Sequence, residues 1–279
     1  VRLFVLDEVD RMLDMGFLPD IKRVLAQVPE QRQTLFFSAT MAPKMEKLAR
    51  TMVQDPVQVT IEPEQLTVDS IRQRVLFVGQ KNKVALLTSL LQDQQVNKAL
   101  VFTQMKHVAN RVVGKLGKAG IQAAAIHGNK SQAARKRALD GFKQNRFQVL
   151  VATDVAARGL DVDDITHVIN YDLPIEAETY VHRIGRTGRA GAEGDAISLC
   201  TAEDRAYLRD IEHLLGEPVQ PDSEHEFHCE EARRSTAPKK KPGGGRGRKN
   251  GGGRRKQGHA RKGGRAAGRR PRRSRGRKG

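Results

Sequence analysis

Arginine, histidine and glycine crowd into Tyr180-Val-His-Arg-Ile-Gly-Arg-Thr-Gly-Arg189, a combination that suits an anion. The preceding Pro174-Ile-Glu-Ala-Glu-Thr reads as a helix start, with acidic residues at the positive end of the helix dipole. Arg183 and Arg186 then occupy neighbouring positions on that helix, Gly188 ends it, and Arg189 follows in a loop. Guanidinium forks gathered at a helix end match the geometry of a phosphate. A surface salt-bridge cluster would use the same residue types, so the weight of this reading comes from upstream.

There, the apolar run Leu3-Phe-Val-Leu6 ends in Asp7 and Glu8. It reads as a buried strand of a parallel sheet that delivers two carboxylates at its carboxyl edge, where open α/β sheets bind ligands. In nucleotide hydrolases the first acid of such a pair holds Mg²⁺ through water and the second positions the attacking water. Capping the next helix is the plainer use of the same residues. Ser38 and Thr40 follow a second strand candidate at 34–37. They either cap a helix near 43–53 or hydrogen-bond Asp10, which would link the acidic edge to a part that moves.

A third set lies in Ala152-Thr-Asp-Val-Ala-Ala-Arg-Gly-Leu-Asp161. Thr153 and backbone amides at a strand end suit a phosphate, Ala156, Ala157 and Gly159 permit close approach, and Asp161 can accept from a ribose hydroxyl. Gly128 and Lys130 end another strand at the same edge, and Lys130 with the helix start near Ser131 suits a backbone phosphate. Taken singly, each of these residues is also ordinary turn chemistry.

The elements that must position these residues follow from periodicity. In the first part, a helix spans roughly 9–28, broken near Gly16 and Pro19, and Val57-Gln-Val59 is a third short strand. Residues 62–70, which hold Pro63 and show no period, read as a linker between a first domain at 1–61 and a second at 71–218. The second alternates strands near 72–78, 98–103, 121–126, 147–151, 166–170 and 195–200 with helices near 81–93, 105–118, 131–143, 176–186 and 203–215. That alternation predicts α/β architecture with parallel strands and right-handed crossovers.

Net charge is +18, but it is divided unevenly. Residues 232–279 hold 21 Lys and Arg and no Asp or Glu, so the other 231 residues carry 29 basic against 32 acidic, a net of −3. From 219 onward the chain reads as a disordered Lys/Arg/Gly-rich tail whose chemistry is salt-dependent binding to a polyanion, RNA above all, with little sequence choice. Cys200 and Cys229 cannot form a disulfide framework, which suits a cytoplasmic protein, and no apolar run approaches the roughly 20 residues of a membrane span. His225, His228 and Cys229 match no standard zinc spacing.

In order, Asp7-Glu-Val-Asp10, Ser38-Ala-Thr40, the 152–161 stretch and His182-Arg-Ile-Gly-Arg-Thr-Gly-Arg189 resemble the motifs of DEAD-box ATP-dependent RNA helicases. The resemblance covers about residues 1–218 and is nearest to bacterial, RhlE-like members. It implies two RecA-like parallel-sheet domains, the first partial and beginning just before its acidic motif, the second complete, with ATP between them. In this scheme Asp7 holds Mg²⁺ through water and Glu8 orients or deprotonates the hydrolytic water. Asp10, Ser38, Thr40, Arg158, His182 and Arg183 couple the domains, and Asp161 meets the nucleotide. Arg186 and Arg189 are arginine fingers on the γ-phosphate. Gly128, Lys130 and Thr153 lie along the backbone of single-stranded or short duplex RNA, read with little sequence preference. A monomer working near ribosomal or degradosome-type assemblies is the implied setting.

Two departures stand out. Val9 occupies a position where the family has Ala, and its two extra methyl groups are expected to crowd the site without removing the chemistry. No Gly-x-x-x-x-Gly-Lys-Ser/Thr occurs in the 279 residues, so the chain by itself is expected not to hydrolyse ATP, and its first 60 residues are expected to pack poorly. The alternative is a non-catalytic RNA-binding or annealing protein.

Overall fold

A computed structural model describes residues 1–238 apart from 15, 39–40, 42, 54, 61–70, 94–95, 158–161, 163 and 190–191. The chain divides into two compact units, Val1–Thr67 and Val68–Gly279. The expected linker at 62–70 lies outside the described residues, as does the chain from 239 onward.

In the first unit, β1 (Leu3–Leu6) pairs in parallel with β2 (Gln33–Phe36), Leu3 opposite Gln33 and Leu6 opposite Phe36. The intervening helical stretch breaks as its glycine and proline require. α1 (Val9–Asp14) stops before Gly16, which has φ +79°, and α2 (Leu18–Leu25) carries Pro19 in its first turn. With α3 (Pro43–Arg50) these helices cover one face of the strand pair, burying Leu6, Val9, Ile21, Met45, Leu48 and Met52.

Three expectations are corrected here. β1 is not a fully buried strand: Leu3 is 51 % and Val5 48 % exposed, because a two-stranded sheet with helices on one face leaves alternate residues uncovered. Residues 57–59 form no strand and have no described strand neighbour, leaving Val57 and Val59 exposed. Val9 does not crowd the site, since its side chain is fully buried in the apolar cluster beneath α1.

The second unit is a seven-stranded, wholly parallel sheet. Its strands are β3 (Ile71–Phe77), β4 (Ala99–Phe102), β5 (Ala123–Ile126), β6 (Val149–Ala152), β7 (His167–Asn170), β8 (Gly194–Cys200) and β9 (Gln220–Asp222), in the order β5-β6-β4-β7-β8-β3-β9. α4 (Lys83–Leu91) and α5 (Lys106–Lys118) cover one face, where they meet Val101, Val151, Ile169 and Leu199. The alternate residues meet the other layer. α6 (Gln132–Lys143) and the short α7 (Asp154–Ala157) pack on Leu100, Phe102 and Leu150, and α8 (Ala177–Ile184) and α9 (Arg205–Leu215) pack on Val75, Phe77 and Ala196. Central strands buried throughout, as β4, β6 and β7 are, are what a sheet covered on both faces demands.

The expectation of a tail from 219 is also corrected. Residues 219–238 continue the fold: β9 pairs in parallel with the edge strand β3, and α10 (Glu230–Arg234) buries Ala232 against it. The segment is short and mostly polar, so neither β9 nor α10 carries a periodic signal. Pairing with an open strand edge supplies the stability its own sequence lacks.

Candidate functional site

The acidic turn of the first unit follows β1 directly. Asp7 and Glu8 are exposed at its carboxyl end, and Asp7 Oδ1 accepts the Glu8 N–H at 2.9 Å. Glu8 has φ +50°, a left-handed conformation that is strained by roughly 1–2 kcal/mol for a residue with a Cβ. The turn is pinned from the neighbouring strand end. Phe37 donates its N–H to Leu6 O at 2.8 Å and accepts the Val9 N–H at 3.2 Å. This places Ser38, half-buried, directly after the residue that holds the acidic turn, with Asp10 buried one helical step beyond Val9. Thr40 lies outside the described residues.

In the second unit the candidates separate onto opposite edges of the sheet. Ile126 and Ala152 are register partners on β5 and β6, so the loops that follow them are neighbours at the carboxyl edge. They carry Gly128, exposed, and Lys130 and Thr153, half-buried. The Lys130 N–H donates to His127 O at 2.9 Å, and Ser131 caps α6 by accepting the Ala134 N–H at 3.3 Å, so the loop is a tight turn into a helix start. Lys106, at the first turn of α5, reaches Asn129 Oδ1 at 2.9 Å and adds a second ammonium group to this edge. Lys106 was not singled out from sequence, although a lysine opening a helix directly behind a buried strand was the available signal. His127 is buried beneath the same loop with Nε2 3.0 Å from Asn110 Oδ1. Burial, then the Lys130 and Lys106 charges, hold its pKa below the ordinary histidine value.

Arg183, one of the residues expected to couple the domains, finds its hydrogen-bond partners within the second unit. Its side chain is 1 % exposed and enclosed within the second unit. Nε and Nη2 form a bidentate pair with Asp154 at 2.6 and 2.8 Å, while Nη1 bonds Asn170 Oδ1 at 2.9 Å and Asp172 O at 2.7 Å. The guanidinium also stacks over the Phe102 ring, 4.9 Å from its centroid. Arg183 thus ties α8 to α7, the turn that follows Thr153. A second buried cation, Lys83, holds the Asp172 carboxylate at 2.9 Å, and the Gln104 N–H reaches the same carboxylate at 3.1 Å. Nothing in the sequence marked Lys83, because its partner is 89 positions away.

His182 is exposed on α8, Arg186 is half-buried, and Arg189 is exposed with Nε donating to Gly185 O at 2.8 Å. The turn between the two arginines is fixed by Thr187, whose buried hydroxyl donates to the carbonyls of Ile165 and Thr166, just ahead of β7. Gly194 opens β8 against it: a Cβ there would stand 2.4 Å from Thr187 Oγ1 and 2.6 Å from Gly188 N. Arg186 and Arg189 therefore sit at the amino edge of the sheet, with α8 running between them and the carboxyl edge. Arg158 and Asp161 lie outside the described residues.

Among the described residues no three His, Cys, Asp or Glu side chains gather to cage a metal ion. The hard, exposed carboxylate of Asp7 fits a Mg²⁺ that keeps most of its waters and is shared with substrate phosphates. No described helix is long and apolar enough to cross a membrane.

A sheet of this order, with its candidate residues on strand ends, defines a RecA-like α/β protein. Residues 1–48 match the DEAD/DEAH box helicase family and residues 82–191 the helicase conserved C-terminal domain. The chain is 45% identical over 212 residues to the DEAD-box ATP-dependent RNA helicase CshA of Geobacillus kaustophilus, and 41% over 216 residues to the ATP-dependent RNA helicase DbpA of Bacillus subtilis. These alignments cover 76% and 77% of the chain but only 45% of either relative's length. Among solved structures, S. cerevisiae Dbp5 bound to RNA and ADP BeF3 is similar with TM-score 0.71 at 34% identity, over 80% of this chain and 59% of that one. E. coli DEAD-box protein SrmB bound to the regulator RraA is similar with TM-score 0.56 at 36% identity, over 61% of this chain and 98% of that one. The chain belongs to the DEAD-box RNA helicase family.

Proposed function

We propose that this chain works within an ATP-dependent RNA helicase, supplying the acidic motif, the arginine fingers and half of the RNA grip. The observation that carries the reading is that both residue sets fall inside the two family-matched segments, 1–48 and 82–191, in the family's order. Asp7 would hold a Mg²⁺ that neutralises phosphate charge, and Glu8 orients the attacking water and takes its proton. Arg186 and Arg189 neutralise charge developing on the γ-phosphate, an effect worth about 10³–10⁵ in rate. Gly128, Lys130 and Thr153, with Lys106 beside them, contact the sugar-phosphate backbone, which gives affinity with little sequence preference. The Asp154–Arg183 pair then has a mechanical meaning. It joins the turn behind the RNA contact to the helix that carries the fingers, so RNA at one edge of the sheet sets the arginines at the other. Two free thiols, Cys200 and Cys229, suit a reducing cytoplasm.

The test is a chimera in which residues 1–218 replace the matching segment of Geobacillus kaustophilus CshA. RNA-stimulated ATP turnover is expected, with Glu8→Gln and the Arg186→Gln/Arg189→Gln pair each lowering it about 10³-fold while RNA affinity stays within about twofold. The 279-residue chain alone is expected not to turn over ATP. A chimera that binds RNA but hydrolyses nothing would instead favour the non-catalytic, annealing reading.

A further inference from the structure

The second unit exposes four large apolar side chains among its described residues: Met105 (55 %), Val155 (53 %), Ile175 (45 %) and Leu214 on α9. The first three follow β4, β6 and β7, which are neighbours in the sheet, with Phe102 opposite both Ala152 and Asn170. They therefore rise from a stretch of the carboxyl edge only about 10 Å wide, two strand spacings. Single exposed apolar residues are ordinary, whereas several gathered at one edge and rimmed by charge mark a contact surface. One of them also breaks a local rule. Met105 is the N-cap of α5 and makes no side-chain capping bond, where Ser, Thr, Asp or Asn would satisfy the helix start. The residues on either side hold it in place. Gln104 donates its backbone N–H to Asp172 Oδ2 at 3.1 Å and its side-chain amide to Leu173 O at 2.6 Å, while Lys106 Nζ donates to Asn129 Oδ1 at 2.9 Å. Val155 follows Asp154, which the buried Arg183 grips through both carboxylate oxygens. A patch fixed in this way gives up little conformational freedom on meeting a partner.

We propose that Met105, Val155 and Ile175 form a shelf for the bases of unpaired RNA, beside the Gly128–Lys130 and Thr153 loops that hold its phosphates. The inference rests on the reading of this edge as the RNA-binding face. Charge complementarity selects the occupant. Lys106 adjoins Met105 in the chain, and Lys130 lies on the neighbouring β5 loop, so the ligand must offer an anionic part beside an apolar one. A nucleotide does, with its phosphate for the lysines and its base face for Met, Val and Ile. Aliphatic side chains of this kind hold bases out of the stack without reading their edges, so the shelf adds affinity without sequence choice. In a duplex the base faces are covered by their neighbours, so the shelf favours the separated strand.

The experiment uses the full 279-residue chain, ¹³C-labelled at its Met, Ile and Val methyl groups. It is titrated with an oligoadenylate of about 10 nucleotides and with a base-free ribose-phosphate chain of the same length. Ring currents from stacked bases should move the Met105 and Ile175 methyl signals upfield with oligoadenylate and leave them in place with the base-free chain, while the Gly128 and Lys130 amide signals move with both. The parent chain should prefer oligoadenylate about tenfold, and Met105→Ser/Ile175→Ser should reduce that preference below about threefold with an unchanged salt slope, since the same phosphates are neutralised. Both positions are exposed, and Met105→Ser supplies the missing cap, so the variant keeps its fold. The Lys/Arg-rich 239–279 segment has no aromatic residue and meets both ligands through phosphates, so it drops out of the ratio. Methyl signals that stay in place with oligoadenylate would leave the patch to a protein surface and overturn the shelf. So would equal shifts with both ligands, or an undiminished preference in the variant. Gly128 and Lys130 amides that respond to neither ligand would overturn the underlying RNA reading instead.

Discussion

Arg183 shows how a single residue changes meaning once its surroundings are known. In sequence it is one of several arginines in a phosphate-like motif. In the fold it is a buried ion paired with Asp154 and braced by Asn170 and the Asp172 carbonyl. Removing one partner of such a pair leaves the other's charge uncompensated, so Arg183→Met is expected to destabilise the second unit by about 3 kcal/mol, the low end of the usual range because Asp154 is partly exposed. Urea unfolding measures this, and a change below about 0.5 kcal/mol would show that the pair is dispensable. Gly194 is a sharper probe of the turn that carries Arg186 and Arg189. Because a Cβ would press on both Thr187 Oγ1 and the Gly188 amide, Gly194→Ala is expected to displace the turn between Arg186 and Arg189. In the CshA chimera, ATP turnover should fall at least about tenfold with RNA affinity nearly unchanged, since misplacing a catalytic group by about 1 Å costs up to 10²-fold. Equal losses of both would mean that the whole sheet had shifted.

At the scale of elements, the strap formed by residues 219–238 and the strand ends share a dependence on neutral histidines. Burial holds the pKa values of His127, His167 and His225 below the ordinary 6.5, with nearby Lys130 and Lys106, Arg74, and His228 respectively adding to the effect. At His167 the Asp195 carboxylate opposes the shift without reversing it. The unfolded chain therefore binds more protons than the folded one just below 6.5. The stability these residues contribute is complete above that value and is lost as the pH falls through and below it. His225, half-buried, adds to the cost because neither of its buried ring nitrogens has a hydrogen-bond partner among the described residues. The urea midpoint of the second unit should fall between pH 7 and pH 5, in the strap as well as the core. A midpoint that is flat or rises on acidification would contradict this.

For the whole molecule, the two units differ in how much apolar surface they cover. The second has strands buried on both faces, whereas the first leaves Leu3, Val5, Phe37, Val57 and Val59 exposed. A protease that cuts at apolar side chains, such as thermolysin, should therefore cleave within 1–60 before it cleaves anywhere between 71 and 232. Equal resistance of the two regions, read by mass spectrometry over a time course, would mean that the first unit is better packed than its surface implies.

Sequence by itself determined the local facts: the alternation of strands and helices from 71 to 218, the breaks at Gly16 and Pro19, and the ordered motifs that mark the family. These depend on short-range periodicity, backbone restrictions and residue type, all of which are written along the chain. Tertiary structure decided whatever depends on partners far apart. It put the Gly128–Lys130 and Thr153 loops and the Arg186–Arg189 turn on opposite edges of one sheet, because α8 runs from one to the other. It turned Arg183 and Val9 inward, because Asp154 and the α1 core receive them there. It folded residues 219–238 into a strap, because β3 offers an open edge whose backbone hydrogen bonds no nearby residue could supply.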